Sequence, residues 1–172
     1  MATRPLPYDP IAESVRSWRA AGWGDEAPGM ALIVSIMRVH QIVLSRVDAS
    51  LAPFELTFSR FEVLMLLSLT RSGELPLNRI GERLQVHAAS VTNSISRLED
   101  AGLVERVSHP TDGRTTLARI TPAGLQLAHA AAVRLNADVF GDVGLDDDAV
   151  STVVEALRQL RFNAGDFVDD DG

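Results

Sequence analysis

The chain has 172 residues, 46% of them hydrophobic and 23% charged, which bounds it to one globular domain or one subunit of an oligomer. It contains no cysteine, so disulfides, thiolate metal sites and cysteine-based redox sensing are excluded. The net charge is −7 and all sixteen basic residues are arginine, an acidic balance that argues against non-specific attachment to polyanions.

In chain order, Asp9 followed by Pro10 is a helix start, with an acceptor at the N-cap and proline at N1. Ile11, Val15 and Trp18 then fall on one face, which predicts a short amphipathic helix to about residue 21 and a loop over 22–29. A long helix is predicted from Pro28 to about Ala52. Its apolar stripe holds Ile33, Ile36, Met37, Val43, Leu44 and Val47, with His40 among them. His40 has two readings, a core histidine bonded to a backbone carbonyl or a ligand-contacting, pH-sensitive group. Arg38, Arg46 and Asp48 interrupt this stretch and argue against a membrane span. The N-terminus lacks the basic-then-apolar layout of a signal peptide, so the expected location is the cytoplasm.

Thr57 caps the next predicted helix, Phe58 to Thr70, which is apolar through Phe61, Leu64, Met65 and Leu67. Two short helices follow around a tight turn at Gln85-Val86. Leu77, Ile80 and Leu84 mark the buried face of the first, and Val91, Ile95 and Leu98 that of the second. Between those positions the second helix offers Ala88, Ala89, Ser90, Thr92, Asn93 and Ser96, with no acid before Glu99. A slim, carboxylate-free face of this kind suits close approach to base edges in a major groove. After Gly102 come two β-leaning runs, 103–107 and 115–120, joined by Pro110-Thr111-Asp112-Gly113-Arg114, a hairpin with Arg114 at its tip. An arginine so placed suits a narrow minor groove.

Thr121-Pro122 opens another helix to about Val139. A break over 141–144 precedes the last helix, Asp146 to about Asn163, which carries Val150, Val153, Val154, Leu157 and Leu160. The acidic first turn, Asp146 to Asp148, reads as helix capping in preference to a metal site, and the acidic tail after Gly165 as frayed. No Ser/His/acid set, metal-spaced histidines or phosphate loop can be assembled, so neither catalysis, metal nor cofactor is expected. The terminal helices carry more apolar surface than one small subunit hides, which predicts a homodimer.

The run from Leu98 to Gly124, LxxAGLVxRxxxPxDxRxxxxxxTPAG, resembles the signature of the MarR family of winged helix-turn-helix regulators, and the likeness extends from about Met30 to Phe162. Gly113 departs from it, leaving one guanidinium at the hairpin tip. The resemblance implies a mostly α fold with a small β-hairpin wing. Its parts would be an N-terminal extension over 1–27, a dimerisation helix over 28–56, a DNA-binding lobe over 57–120 and C-terminal dimerisation helices over 121–172. It also implies a DNA-binding regulator, in the main a repressor, acting on double-stranded, pseudo-palindromic operator DNA. His87, Ala88, Ala89, Ser90, Thr92, Asn93, Arg97 and Arg114 are its expected DNA-contacting residues. The extra N-terminal helix is similar to that of the urate-responsive branch. There Trp18 matches a ligand-contacting tryptophan, Glu62 replaces an aspartate and Arg106 matches one of two arginines. Ser94 stands in place of the other, which weakens the case for urate itself. The expected effector site is therefore Trp18, His40, Glu62 and Arg106, with Arg106 open between ligand and phosphate. A protein-interaction module that keeps the fold, or a small-molecule-binding helical dimer, remain the alternative readings.

Overall fold

The structure is a computed structural model, and it describes residues 5–112 and 114–168. Gly113 and the last four residues of the acidic tail lie outside the described residues, so the expectations placed on them stay as sequence readings.

Helices are begun by local capping chemistry. The Asp9 carboxylate accepts from the Ile11 amide at 2.9 Å and starts α1, Pro10–Ala20. Thr57 starts α3, Phe58–Ser68, and Thr121 starts α6, Pro122–Leu135, where its hydroxyl accepts from the Gly124 amide at 3.0 Å. The Asp146 carboxylate accepts from the Ala149 amide at 2.8 Å and starts α7, Asp147–Asn163. These caps each satisfy an amide that the first helical turn leaves without a partner. Between α1 and α3 runs α2, Ala27–Leu51, which continues through a 3₁₀ turn at Ala52–Phe54 and ends at Glu55 in the left-handed region. The remaining helices are α4, Leu77–Leu84, and α5, Ala88–Asp100.

The expected two-stranded hairpin is a three-stranded antiparallel sheet. Strands β2, Val104–Ser108, and β3, Thr116–Ile120, pair as anticipated, and β1, Glu74–Pro76, adds to the far side of β3. The order is β1-β3-β2, with Leu75 opposite Ala118 and Arg106 opposite Ala118 from the other side. Pro76 is tolerated because β1 is an edge strand.

The core sits under α3. Phe61, Val63, Leu64 and Leu67 are buried against Ile80 of α4, Val91, Ile95 and Leu98 of α5, and Ala128, Ala131 and Leu135 of α6. Beyond Leu135, α6 widens into a π turn over Asn136–Phe140. Arg46 donates to the carbonyls of Asp138 and Asp142, and the Ser50 hydroxyl to the Asp138 carboxylate at 3.0 Å, so the C-terminal end of α2 is docked there.

Elsewhere α2 is open. Ile33, Met37, His40 and Val43 are exposed, so His40 is not the buried core histidine that the apolar stripe suggested. By length and apolar content the segment Ala27–Phe54 could cross a bilayer. Its C-terminal end is held to the π turn by the polar bonds of Arg46 and Ser50. Helix α7 barely touches its own chain, and Val153, Val154, Leu157 and Leu160 face outward.

Candidate nucleic-acid interface

The turn between α4 and α5 is built for closeness. Gln85 adopts the left-handed region at φ 51°, and the Val86 amide donates to the Gly81 carbonyl at 3.1 Å. A Cβ on Gly81 would stand 3.1 Å from the Val86 carbonyl oxygen, so glycine lets the chain cross itself here. Helix α5 then packs Val91, Ile95 and Leu98 inward, and this fixes the opposite side by helical geometry. Ala88, Ala89, Ser90, Thr92, Asn93 and Arg97 are all exposed on it, with His87 exposed at the N-cap. The Thr92 hydroxyl donates to the Ala88 carbonyl at 2.9 Å, so it has acceptor capacity to spare for a base amino group.

The wing tip is held by Asp112. Its carboxylate accepts from the Thr115 hydroxyl at 2.7 Å and from the Arg114 amide at 3.1 Å. These bonds, the Thr115 one foremost, hold the Asp112 carboxyl below its usual range, with the charge of His109 adding to the effect. Arg114 is thereby presented outward on a tied turn.

Charge pairing decides which arginines are free. Arg79 pairs with Glu82, Arg106 with Glu99, and Arg119 with Glu74 and Glu105, which raises the Arg119 pKa and ties all three strands together. Four lobe acids are thus engaged on partners inside the lobe. Arg60, Arg71, Arg83, Arg97 and Arg114 have no ion pair among the described residues. The acidic balance of the chain is therefore no measure of this face.

Arg106 is a brace. Its guanidinium donates to Glu99, to the Ser96 hydroxyl at 2.8 Å and to the Thr92 carbonyl at 3.4 Å, while its amide donates to Glu99 at 3.2 Å. It fastens β2 to α5, so wing and recognition helix are held as one body.

The four expected effector residues lie on four elements and share no hydrogen bond or ion pair among the described residues. Trp18 meets Trp23 edge to face at 5.3 Å on the α1 side of α2, and His40 faces outward from α2. Glu62 is half-buried on α3, and burial raises its carboxyl above the usual 4.5. A raised carboxylate pKa means stability fully present below the unfolded value and lost as pH rises through the folded one. Glu62→Gln is therefore expected to raise Tm at pH 7, and the gain should disappear in melts run below about pH 4.5. A gain that persists at low pH would show that charge burial is not its source.

One concavity was not foreseen. Thr57, Ser59 and Arg60 of the α3 start meet Asn93, Ser94 and Arg97 of α5. Thr57 was legible as a cap, but no local pattern says that it lands beside residues some 36 positions onward.

A small sheet and, following a tight turn, a helix whose exposed face carries no acid before Glu99 define a winged helix-turn-helix DNA-binding protein. A family model described as MarR family matches residues 54–115. The chain is 28% identical over 144 residues to the HTH-type transcriptional regulator MhqR of Bacillus subtilis, covering 80% of this chain and 94% of that one. It is 32% identical over 110 residues to the HTH-type transcriptional repressor Rv2887 of Mycobacterium tuberculosis, covering 64% and 76%. Among solved structures, Sco5413 of Streptomyces coelicolor, a MarR family transcriptional regulator, superposes with a TM-score of 0.75 at 47% identity, covering 83% and 99%. The chain belongs to the MarR family, and it is a DNA-binding transcriptional regulator.

Proposed function

We propose that the protein is a cytoplasmic homodimeric repressor that binds a pseudo-palindromic operator and is released by a small aromatic or anionic effector. The observation that carries the DNA half is the exposed, acid-free face of α5 beside the tied tip at Arg114. In this reading Ser90, Thr92, Asn93 and Arg97 enter the major groove, with Ala88 and Ala89 allowing close approach and His87 at the helix entry. Arg114 enters the adjacent minor groove. Residues 57–120 serve as the DNA-binding lobe; 28–56 and 121–172 serve as the dimer frame, carrying the N-terminal extension on α2.

The dimer half is supported by α7, whose apolar face is left largely uncovered by the described residues of its own chain. A helix of 17 residues without tertiary packing is marginal in water, so a second copy is the natural cover. Trp18, His40 and Glu62 are assigned to the effector side. An anionic effector reaching Arg106 would compete with Glu99 and loosen the brace between wing and recognition helix.

The test is binding of the purified protein to DNA from its own upstream intergenic region across a salt series. Tight, sequence-dependent binding that weakens with salt is expected. Arg114→Ala should cost about 1–3 kcal/mol of operator affinity while leaving the melting temperature unchanged. Unchanged affinity would remove the wing from the interface.

A further inference from the structure

We propose that Arg60, seated with Arg97 in the concavity between the α3 start and α5, is a clamp for a DNA backbone phosphate flanking the bases read by α5. The inference rests on the DNA-binding reading above and adds α3 to the interface.

Three observations carry it. The concavity is lined by Thr57, Ser59, Arg60, Asn93, Ser94 and Arg97, so hydroxyls, an amide and two guanidiniums converge there without a single carboxylate. In a chain with 23 acids, and a lobe where Arg79, Arg106 and Arg119 are each paired with glutamates, two like charges lining one concavity with no ion pair among the described residues mark a site for an external anion. Second, Arg60 is partly oriented in advance. Its Nε donates to the Thr57 hydroxyl at 3.2 Å, which leaves the terminal nitrogens of the guanidinium available. A planar fork with free terminal donors suits two phosphate oxygens. Third, the site is continuous with the α5 face, because Asn93 and Arg97 belong to both. An anion held there lies next to the groove that α5 enters, where duplex DNA supplies phosphates at regular spacing. Phosphate contacts fix register and carry no sequence information, which is the role left open once α5 and the wing read the bases.

The experiment compares wild type, Arg60→Gln and Arg60→Lys on operator and random duplexes from low to high salt, with thermal melts of each protein. Arg60→Gln should weaken binding to both duplexes by the same factor and shallow the log K against log salt slope by about 1 per protomer. Arg60→Lys should restore the slope with partial affinity, since a point charge replaces a fork. A Gln variant with wild-type affinity and slope, on an operator that wild type still binds tightly, would overturn the clamp while leaving the DNA reading intact. A Gln variant that loses operator preference with its slope unchanged would also overturn it, because Arg60 would then be reading bases. Absence of salt-dependent binding by wild type itself would fail the broader reading, and the clamp with it.

Discussion

Alanine in place of Gly124 is expected to cost about 3 kcal/mol, at the upper end of what an extra core carbon costs. A Cβ there would lie 2.1 Å from the Leu103 carbonyl oxygen and 3.0 Å from both the Leu103 carbonyl carbon and Ile120 Cγ1. The nearest obstacle is backbone, so no side-chain rotation relieves it. Nor can α6 simply lift away. The Thr121 amide donates to the Leu103 carbonyl at 3.1 Å, the Thr121 hydroxyl donates to the Gly102 carbonyl at 2.8 Å, and the Gly124 amide donates back to that hydroxyl at 3.0 Å. Movement of α6 breaks these bonds, including the part-buried one from the Gly124 amide. With total stabilities of about 5–15 kcal/mol, such a loss is a large share of the whole. Urea melts of Gly124→Ala beside wild type measure it through the midpoint. An unmoved midpoint would mean that α6 shifts freely and that the three bonds do not fix it.

The second large effect belongs to α7. The double variant Val154→Glu, Leu157→Glu places two carboxylates on a face that is 57% and 39% exposed at those positions in a single chain. In a monomer such changes are nearly neutral. In a dimer they bury charge without partners, and the assembly is expected to fall apart. Sedimentation should then report 18.6 kDa in place of twice that mass. Operator affinity should drop roughly 100-fold or more, because two linked recognition helices gain their avidity from being held together. The lobe, with its core under α3, should keep its helical signal. A variant that sediments as a dimer and binds DNA normally would show that α7 is not at the interface.

How far each feature could be read depended on how local its cause was. Asp9, Thr57, Thr121 and Asp146 were legible as caps, since each accepts an amide two or three residues onward. The Asp112 turn was legible for the same reason. Strand β1 was not, because three residues containing a proline carry no periodicity, and its partner β3 lies more than forty positions onward. The apolar stripe of α2 was correctly seen, but periodicity cannot say whether its cover comes from the same chain. That is why the sequence left His40 between a core and a ligand-contacting reading, and the single chain leaves its side chain exposed. Arg106 was marked as important while its use was not visible, since Glu99 reaches it only because β2 folds back on α5.

The sequence by itself determined the helices, their caps, the turn chemistry, the wing tip and the family, all of which rest on contacts within a few residues or on a motif with fixed spacing. Tertiary structure alone decided which arginines are neutralised and which are left for an anion, and why residue 124 has no room for a side chain. Those depend on pairs brought together by folding: Arg119 with Glu74, Arg60 with Arg97, Gly124 with Leu103. Formal charge counts every ionised group alike, whereas a surface presents only the charges that the fold has left without a partner.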